Sequence, residues 1–229
     1  MEKNTLAYLY SLPIEFEFEG QYHKSLEKAI SLIELEGDWC EFGVFEGRTA
    51  HILEKHIPEN TNLYLFDSFE GLEEDWIVND KVFQREGFPV IAQDGQVWDS
   101  FSKGCFNTTN IPVFTNKNVH LIKGMVENTV PFFVTSFSIT RNRPLALIHM
   151  DLDLSPPTFS TLFKISCLIK TGTIILFDEY YNYGGDGWIE HEYTAFKKFL
   201  KCCPFFDFEY LFREDKFRVC VRMIKGTIQ

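Results

Sequence analysis

The chain has 229 residues, 45% of them apolar and 24% charged, which suits a single globular domain with a sizeable core. A formal net charge of −11 repels phosphate backbones and anionic lipid heads, so nucleic acid and membrane surfaces are not expected as partners. No apolar run approaches the roughly 20 residues that cross a bilayer. The start, Met1-Glu-Lys-Asn4, lacks a secretory signal, and the six cysteines form no C-x-x-C pair, so a cytoplasmic, reducing setting is expected.

In chain order, Tyr22 to Glu36 reads as a helix. Leu26, Ala29, Ile30 and Ile33 recur at helical spacing, Lys24, Glu27, Lys28 and Glu34 take the other face, and Gly37 is a stop. Residues 1–37 thus form an N-terminal helical cap. Asp38 to Phe42 is a short strand, Gly43 to Gly47 a turn, and Arg48 to His56 a helix stopped at Pro58. Leu63 to Phe66 is a second strand ending at Asp67. Residues 68–118 are long for a connection and hold Trp76, Phe83, Phe88, Trp98, Phe101 and Phe106. They read as a lid or substrate segment with a helix near Val97 to Phe106.

Val119 to Ile122, Leu145 to Met150 and Thr173 to Phe177 supply three further strands. Pro156-Pro157 opens a helix between the last two, and Trp188 to Leu200 is helical. Phe205 to Phe212 and Lys216 to Ile224 face each other across Arg213-Glu-Asp215 as an antiparallel hairpin. Strand and helix alternate, which predicts one α/β domain over 1–229: a Rossmann-like, mostly parallel sheet closed by that hairpin, with helices on both faces. The 24 Phe predict a core built heavily on aromatic rings.

Charges cannot sit inside a buried apolar strand without a large desolvation cost, so acids that end such runs belong where the strand emerges. Leu145-Ala-Leu-Ile-His-Met150 ends in Asp151 and Asp153; Gly172-Thr-Ile-Ile-Leu-Phe177 ends in Asp178 and Glu179. Ligands of open α/β sheets bind at such carboxyl ends. The four acids are therefore candidates for a divalent metal, a substrate, or both. The glycine turn after the first strand adds a close-approach site, and Asp67, twenty residues past Gly47, is placed to accept ribose hydroxyls. The turn lacks G-x-G-x-x-G, and Glu41 and Glu46 would repel a pyrophosphate. They suit a cofactor that carries an amine or a sulfonium.

Glu41-Phe-Gly-Val-Phe-Glu-Gly-Arg-Thr49, Phe66-Asp-Ser-Phe-Glu-Gly-Leu72, Lys123-Gly124, His149-Met-Asp-Leu-Asp-Leu154 and Phe177-Asp-Glu-Tyr180 resemble the macrocin O-methyltransferase family. The resemblance runs from about residue 38 to 200 in the same order. It implies a seven-stranded sheet with a reversed terminal hairpin and methyl transfer from S-adenosylmethionine to a hydroxyl, often on a sugar of a natural product. It also implies cofactor contacts at Glu41, Gly43, Gly47, Asp67 and Ser68, and Mg2+ at Asp151, Asp178 and Glu179. Asp153 matches the carboxylate proposed as base. The chain departs from the family pattern at Ser155, where Tyr is frequent, and at Glu179, where many members carry Asp.

The partner so implied is a small-molecule hydroxyl acceptor, and exposed aromatics in 68–118 could build a homo-oligomer interface. His149 shares a strand face with Asp151 and could orient a carboxylate or act as base. An Asp153 that caps the following helix, a surface His191 and ordinary packing for Tyr180, Tyr181 and Tyr183 are the bland alternatives. Two other functions stay open: a non-catalytic cofactor-binding scaffold on the same fold, and a Mg2+-dependent haloacid-dehalogenase-like phosphatase suggested by Asp151-Leu-Asp-Leu-Ser155.

Overall fold

The structure is a computed structural model describing residues 2–16, 22–77, 100–101, 103–140, 143–181, 187–214 and 217–226. The apolar runs form β2 (Asp38–Phe42), β3 (Leu63–Asp67), β6 (Val119–Lys123), β7 (Leu145–Met150) and β8 (Ile169–Tyr181), paired in parallel in the order β8-β7-β2-β3-β6. The hairpin β9 (Asp207–Glu214) and β10 (Phe217–Lys225) adds to β8 through β10, antiparallel. An eighth strand, β1 (Ile14–Phe16), lies parallel to β9 at the edge, so the sheet order is β1-β9-β10-β8-β7-β2-β3-β6. Three residues are too few to show a period. The expected seven strands are all present, and the "helical cap" contains an extra one between α1 (Leu6–Ser11) and α2 (Tyr22–Ser31). Helix α2 stops five residues short of the expected Glu36.

Both faces of the sheet are covered, which is why its central strands are apolar throughout rather than alternating. Burial in β7 is unbroken from Leu145 to Met150. On one face Leu26 and Ala29 of α2, with Ala50 and Leu53 of α3 (Arg48–His56), pack on Trp39, Leu65, Leu147 and Leu176. On the other, Val130 and Phe137 of α4 (Val126–Thr140), Leu162 of α5 (Ser155–Lys164) and Phe196 of α6 (Glu192–Cys202) meet Phe42, Phe66 and Phe177. The aromatic core is borne out by Phe42 stacking on Phe66 at 4.8 Å and by the edge of Phe133 against Phe66 at 5.1 Å. Helix α4 was not anticipated. Pro131 and its β-branched neighbours are poor helix formers, and tertiary packing overrides that preference.

Within 68–118 the described residues give a two-stranded ribbon, β4 (Trp76–Ile77) against β5 (Ser100–Phe101), followed by turns. The helix expected near Val97 to Phe106 is absent from its described part, because Phe101 pairs with Trp76 instead. Phe83, Phe88 and Trp98 lie outside the described residues.

Two features position the site. The chain leaves β2 toward β3 and β6 on one side, then returns to β7 on the other, so the connections that follow β2 and β7 part in opposite directions at the carboxyl ends of these strands. At that crevice the backbones touch: Asp151 N–H donates to Phe42 O at 2.9 Å, and a Cβ on Gly43 (φ 88°) would lie 1.7 Å from Asp151 O. Second, β8 outruns β7. Met150, the last residue of β7, pairs with Phe177, while β10 continues alongside β8 to Tyr181. Asp178 and Glu179 therefore lie inside a strand rather than after one, just past the end of its parallel neighbour.

Gly43→Ala combines left-handed strain with overlap against a fixed carbonyl. It is expected to destabilise the fold by roughly 2–5 kcal/mol, read as a lower urea midpoint.

Candidate active site

A cavity of about 690 Å³ opens at the crevice between β2 and β7. Gly43, Asp67 and Ser68 line one end, Asp151, Asp153, Asp178 and Glu179 the floor, and Trp76, Phe101 and Phe106 the cover. Its size is that of an ordinary small-molecule site.

From the floor inward runs a chain of buried charges that crosses adjacent strands, with Asp178 and Arg218 also touching the cavity. Glu41 of β2 bonds His149 Nδ1 at 2.9 Å, and His149 Nε2 of β7 reaches Asp178 Oδ1 at 3.3 Å. Asp178 of β8 receives two hydrogen bonds from Arg218 of β10, Nε to Oδ1 at 2.5 Å and Nη2 to Oδ2 at 2.9 Å. Arg218 Nη1 also donates to Glu214 at 3.0 Å, and Ser25 of α2 donates to Glu214 from the far side. All of these side chains are at most 3% exposed. Both ring nitrogens of His149 face carboxylates. Burial alone would lower its pKa, but the bonds to Asp178 and Glu41 raise it to about 10, so the imidazolium donates on both sides. Burial opposes ionisation of Asp178, yet Arg218 and His149 outweigh it and hold that carboxyl below the usual carboxylate range.

The remaining acids face the cavity. Asp151, Asp153 and Glu179 are half-buried, and each offers an oxygen within 4.8 Å of the others. His149, Asp151 and Asp178 form a second such group. Burial first, and the Asp178 charge second, push Asp151 and Glu179 well above the ordinary range and bring Asp153 to about 7. Asp153 sits at φ 57° in a three-residue turn closed by Leu154 N–H to Leu152 O. Such strain gathers at functional sites. Helix α5 takes Leu154 as its N-cap with no side-chain cap bond, so Asp153 does not cap it.

At the cofactor end the geometry refines the expectations. Asp67 Oδ2 accepts from the N–H groups of Val44 and Phe45, both at 2.7 Å, and Oδ1 from Phe69 N–H at 2.6 Å. The turn's N–H groups that would grip a phosphate are thus occupied by a carboxylate, which explains physically why this is no pyrophosphate site. Glu41, fully buried, turns to His149 and is absent from the cavity wall. Gly47 is absent from it too. Its glycine is required by Pro112, whose Cβ would be 2.6 Å from an added Cβ.

His191 is 9% exposed and sits edge-on to Trp76 at 5.9 Å, a place under the cover rather than on the surface. Tyr180 and Tyr181 are core residues that bond Tyr210 and the Glu214 carbonyl, while Tyr183 lies outside the described residues. Two residues were missed by sequence reasoning. Arg218 left a signal, a lone charge in the inward register of Phe217-Arg-Val-Cys-Val221. Glu192, fully buried at the start of α6, left none, since acids in a first helical turn are ordinarily solvated.

Arg218→Met strips Asp178 of its main partner and should cost roughly 3–5 kcal/mol by chemical denaturation, with Asp178→Asn in the same chain recovering part of that loss. The raised His149 value means that the folded state holds its proton more tightly. The stability this brings is complete below about pH 6.5 and disappears as pH climbs through about 10. In chelator, stability should fall as pH rises from 7.5 to 8.5, with the raised Asp151 and Glu179 carboxyls adding to the slope, and His149→Gln should make it shallower.

The profile of the macrocin O-methyltransferase (TylF) family matches residues 20–201. Among curated proteins, no sequence matches at a significant level. Of solved structures, the calicheamicin methyltransferase CalS11 aligns over 87% of this chain and 77% of its own, with TM-score 0.61 and 22% identity. Its apo form, described as a TDP-rhamnose 3'-O-methyltransferase, aligns over 96% and 81%, with TM-score 0.53 and 20% identity. The O-methyltransferase NovP aligns over 87% and 79%, with TM-score 0.54 and 20% identity. A Bacillus cereus O-methyltransferase in complex with SAH aligns over 95% and 86%, with TM-score 0.51 and 10% identity. At such identities these likenesses establish the shared sheet and its reversed hairpin, while the profile establishes kinship: the chain belongs to the macrocin O-methyltransferase family and is an O-methyltransferase.

Proposed function

We propose that the protein transfers the methyl group of S-adenosylmethionine to a hydroxyl oxygen of a sugar or glycosylated small molecule, with help from a divalent cation, Mg2+ by preference. The observation that carries this reading is one cavity that joins the Gly43–Asp67 end to the acid floor. The donor end suits a cationic cofactor better than a phosphate, because its turn amides are closed by the Asp67 carboxylate and Glu46 lines the wall beside them. The SAH bound to the Bacillus cereus protein on the same fold agrees with that choice. The acceptor class follows from the family and from the TDP-rhamnose named for CalS11.

The fit of a cation is a matter of charge. Seven acids (Glu41, Asp151, Asp153, Asp178, Glu179, Glu192 and Glu214) stand around two cationic side chains, His149 and Arg218. Oxygen donors without competing sulfur suit Mg2+. Asp151 and Glu179 would hold it. Asp178, third in the expected set, already accepts from Arg218 and His149. When bound, the cation supplies Lewis-acid polarisation of the acceptor oxygen, and S-adenosylmethionine the electrophilic methyl on a sulfonium. The chain's residues do the rest. Asp153, beside Asp151 and Glu179, is placed to take the hydroxyl proton, and its pKa near 7 suits a base at neutral pH. His149 acts as a holder for Glu41 and Asp178 rather than as the base, because both its nitrogens are engaged and it does not reach the cavity. Trp76 and Phe101, stacked at 5.0 Å, offer a flat apolar cover for a sugar ring and exclude water from the reacting atoms.

Calorimetric titration with S-adenosylmethionine should show one site per chain, and absence of binding would refute the reading. With labelled donor and a panel of hydroxylated glycosides, EDTA should abolish transfer and Mg2+ restore it. Asp153→Asn should lower kcat by 10²–10⁴-fold while donor affinity stays unchanged.

A further inference from the structure

The carboxylate of Glu192 has no counterpart in the expected site, yet it is built into it. Glu192 is the first residue of α6 and is completely buried. An acid there ordinarily points to solvent and interacts with the helix dipole for a few tenths of a kcal/mol. Here Glu192 Oε2 instead accepts the backbone N–H of Glu179 at 2.9 Å, thirteen residues earlier and on another element. The place of that bond is informative. Beyond Phe177, strand β8 has lost its parallel neighbour β7, so the peptide that carries Glu179 is no longer fixed on that side by a ladder. Glu192 takes the neighbour's part. The direction of that peptide decides where the Glu179 carboxylate goes, and Glu179 shares the cavity floor with Asp151 and Asp153.

A second observation shows that the contact is more than a helix cap. The other oxygen of Glu192, Oε1, is buried and accepts no hydrogen bond among the described residues. Burial first, then the neighbouring Asp151 and Asp178, push the Glu192 carboxyl well above the ordinary range. A fully buried carboxylate left half-satisfied among other acids is costly for the fold alone. Retaining one makes sense where the arrangement it enforces is used.

We infer that Glu192 is a positioning residue for the cation site: by accepting the Glu179 N–H it aims the Glu179 carboxylate at the point shared with Asp151 and Asp153. The inference rests on the cation-assisted reading above. Residues that orient a metal's ligands without touching the metal typically change metal affinity 10–100-fold when removed. Glu192 acts through one backbone bond, so an uncharged side chain of the same length that still presents an oxygen replaces it.

The test is Mn2+ binding to the full-length protein, followed by electron paramagnetic resonance, with SAH affinity as the control for folding. Glu192→Ala should weaken Mn2+ binding ten- to hundred-fold and leave SAH affinity within about two-fold. Glu192→Gln should restore most of the Mn2+ affinity. A Glu192→Ala protein that binds Mn2+ like the wild type overturns the inference, as does a Glu192→Gln protein as weak as the alanine variant. Should the alanine variant fail to bind SAH, Glu192→Asp replaces it: one methylene shorter, it keeps the carboxyl group but loses the reach and is expected to be weak. Wild-type affinity for Mn2+ in Glu192→Asp would contradict the proposal. A wild type that binds SAH but no Mn2+ overturns the cation reading together with this inference, whereas equal Mn2+ binding by wild type and variants overturns this inference alone.

Discussion

Taking a crowd of carboxylates out of water at the mouth of the sheet is the constraint around which this molecule is arranged. Glu41, Asp178, Glu192 and Glu214 are almost wholly buried, and Asp151, Asp153 and Glu179 half so. Burying an ionised carboxylate without compensation costs several kcal/mol even after relaxation. The fold answers with one arginine and one doubly donating histidine, each shared between two acids. That answer dictates topology. Arg218 reaches Asp178 because β10 runs antiparallel beside β8 and keeps pairing after β7 has ended. The reversed hairpin is therefore more than a way to close the sheet; it delivers the cation that lets Asp178 stay ionised in the interior.

The compensation is deliberately incomplete. Two cations cannot neutralise seven acids, and the deficit falls on the three that face the cavity and on Glu192. Burial and the Asp178 charge hold protons on Asp151 and Glu179 well above the ordinary carboxylate range, so the acids that face the cavity keep protons where the inner layer shares cations. The same logic separates the two ends of the cavity. Asp67 closes the glycine turn against phosphate by occupying its N–H groups, so the turn resembles a nucleotide-binding loop in outline while being chemically inverted.

Much of this was legible in the sequence because the strong signals are local. Apolar runs broken by carboxylates located β7 and β8, and the turn at Gly43 located the switch point. Asp151, Asp153, Asp178 and Glu179 do converge, as strand-end acids should. What escaped detection depends on partners distant in sequence. Asp178 looked like a strand-end residue because its own strand seemed to stop at Phe177; the extension to Tyr181 is supplied by β10, about forty residues away. For Glu41, motif position says nothing about rotamer, and the contact its carboxylate makes with His149, 108 residues away, is not written in the local sequence. For Gly47, the close neighbour of an added side chain is Pro112, which lies far along the chain. Helix α4, with Pro131 within it, and the three-residue β1 carry too little periodicity to be seen at all.

The start of α6 joins these themes. His191 lies against Trp76 of the aromatic cover, and the next residue, Glu192, holds the peptide of Glu179 on the acid floor. One turn of helix therefore touches both surfaces between which an acceptor would be held. Because α6 is anchored in the core through Ala195, Phe196 and Phe199, that turn is backed by a rigid body rather than by a loop. An acceptor hydroxyl must be located to a fraction of an ångström for methyl transfer in line. A shared anchor ties the Trp76 side of the cover and the Glu179 peptide of the floor to one helix end, so two surfaces of the cavity are referred to a single packed element.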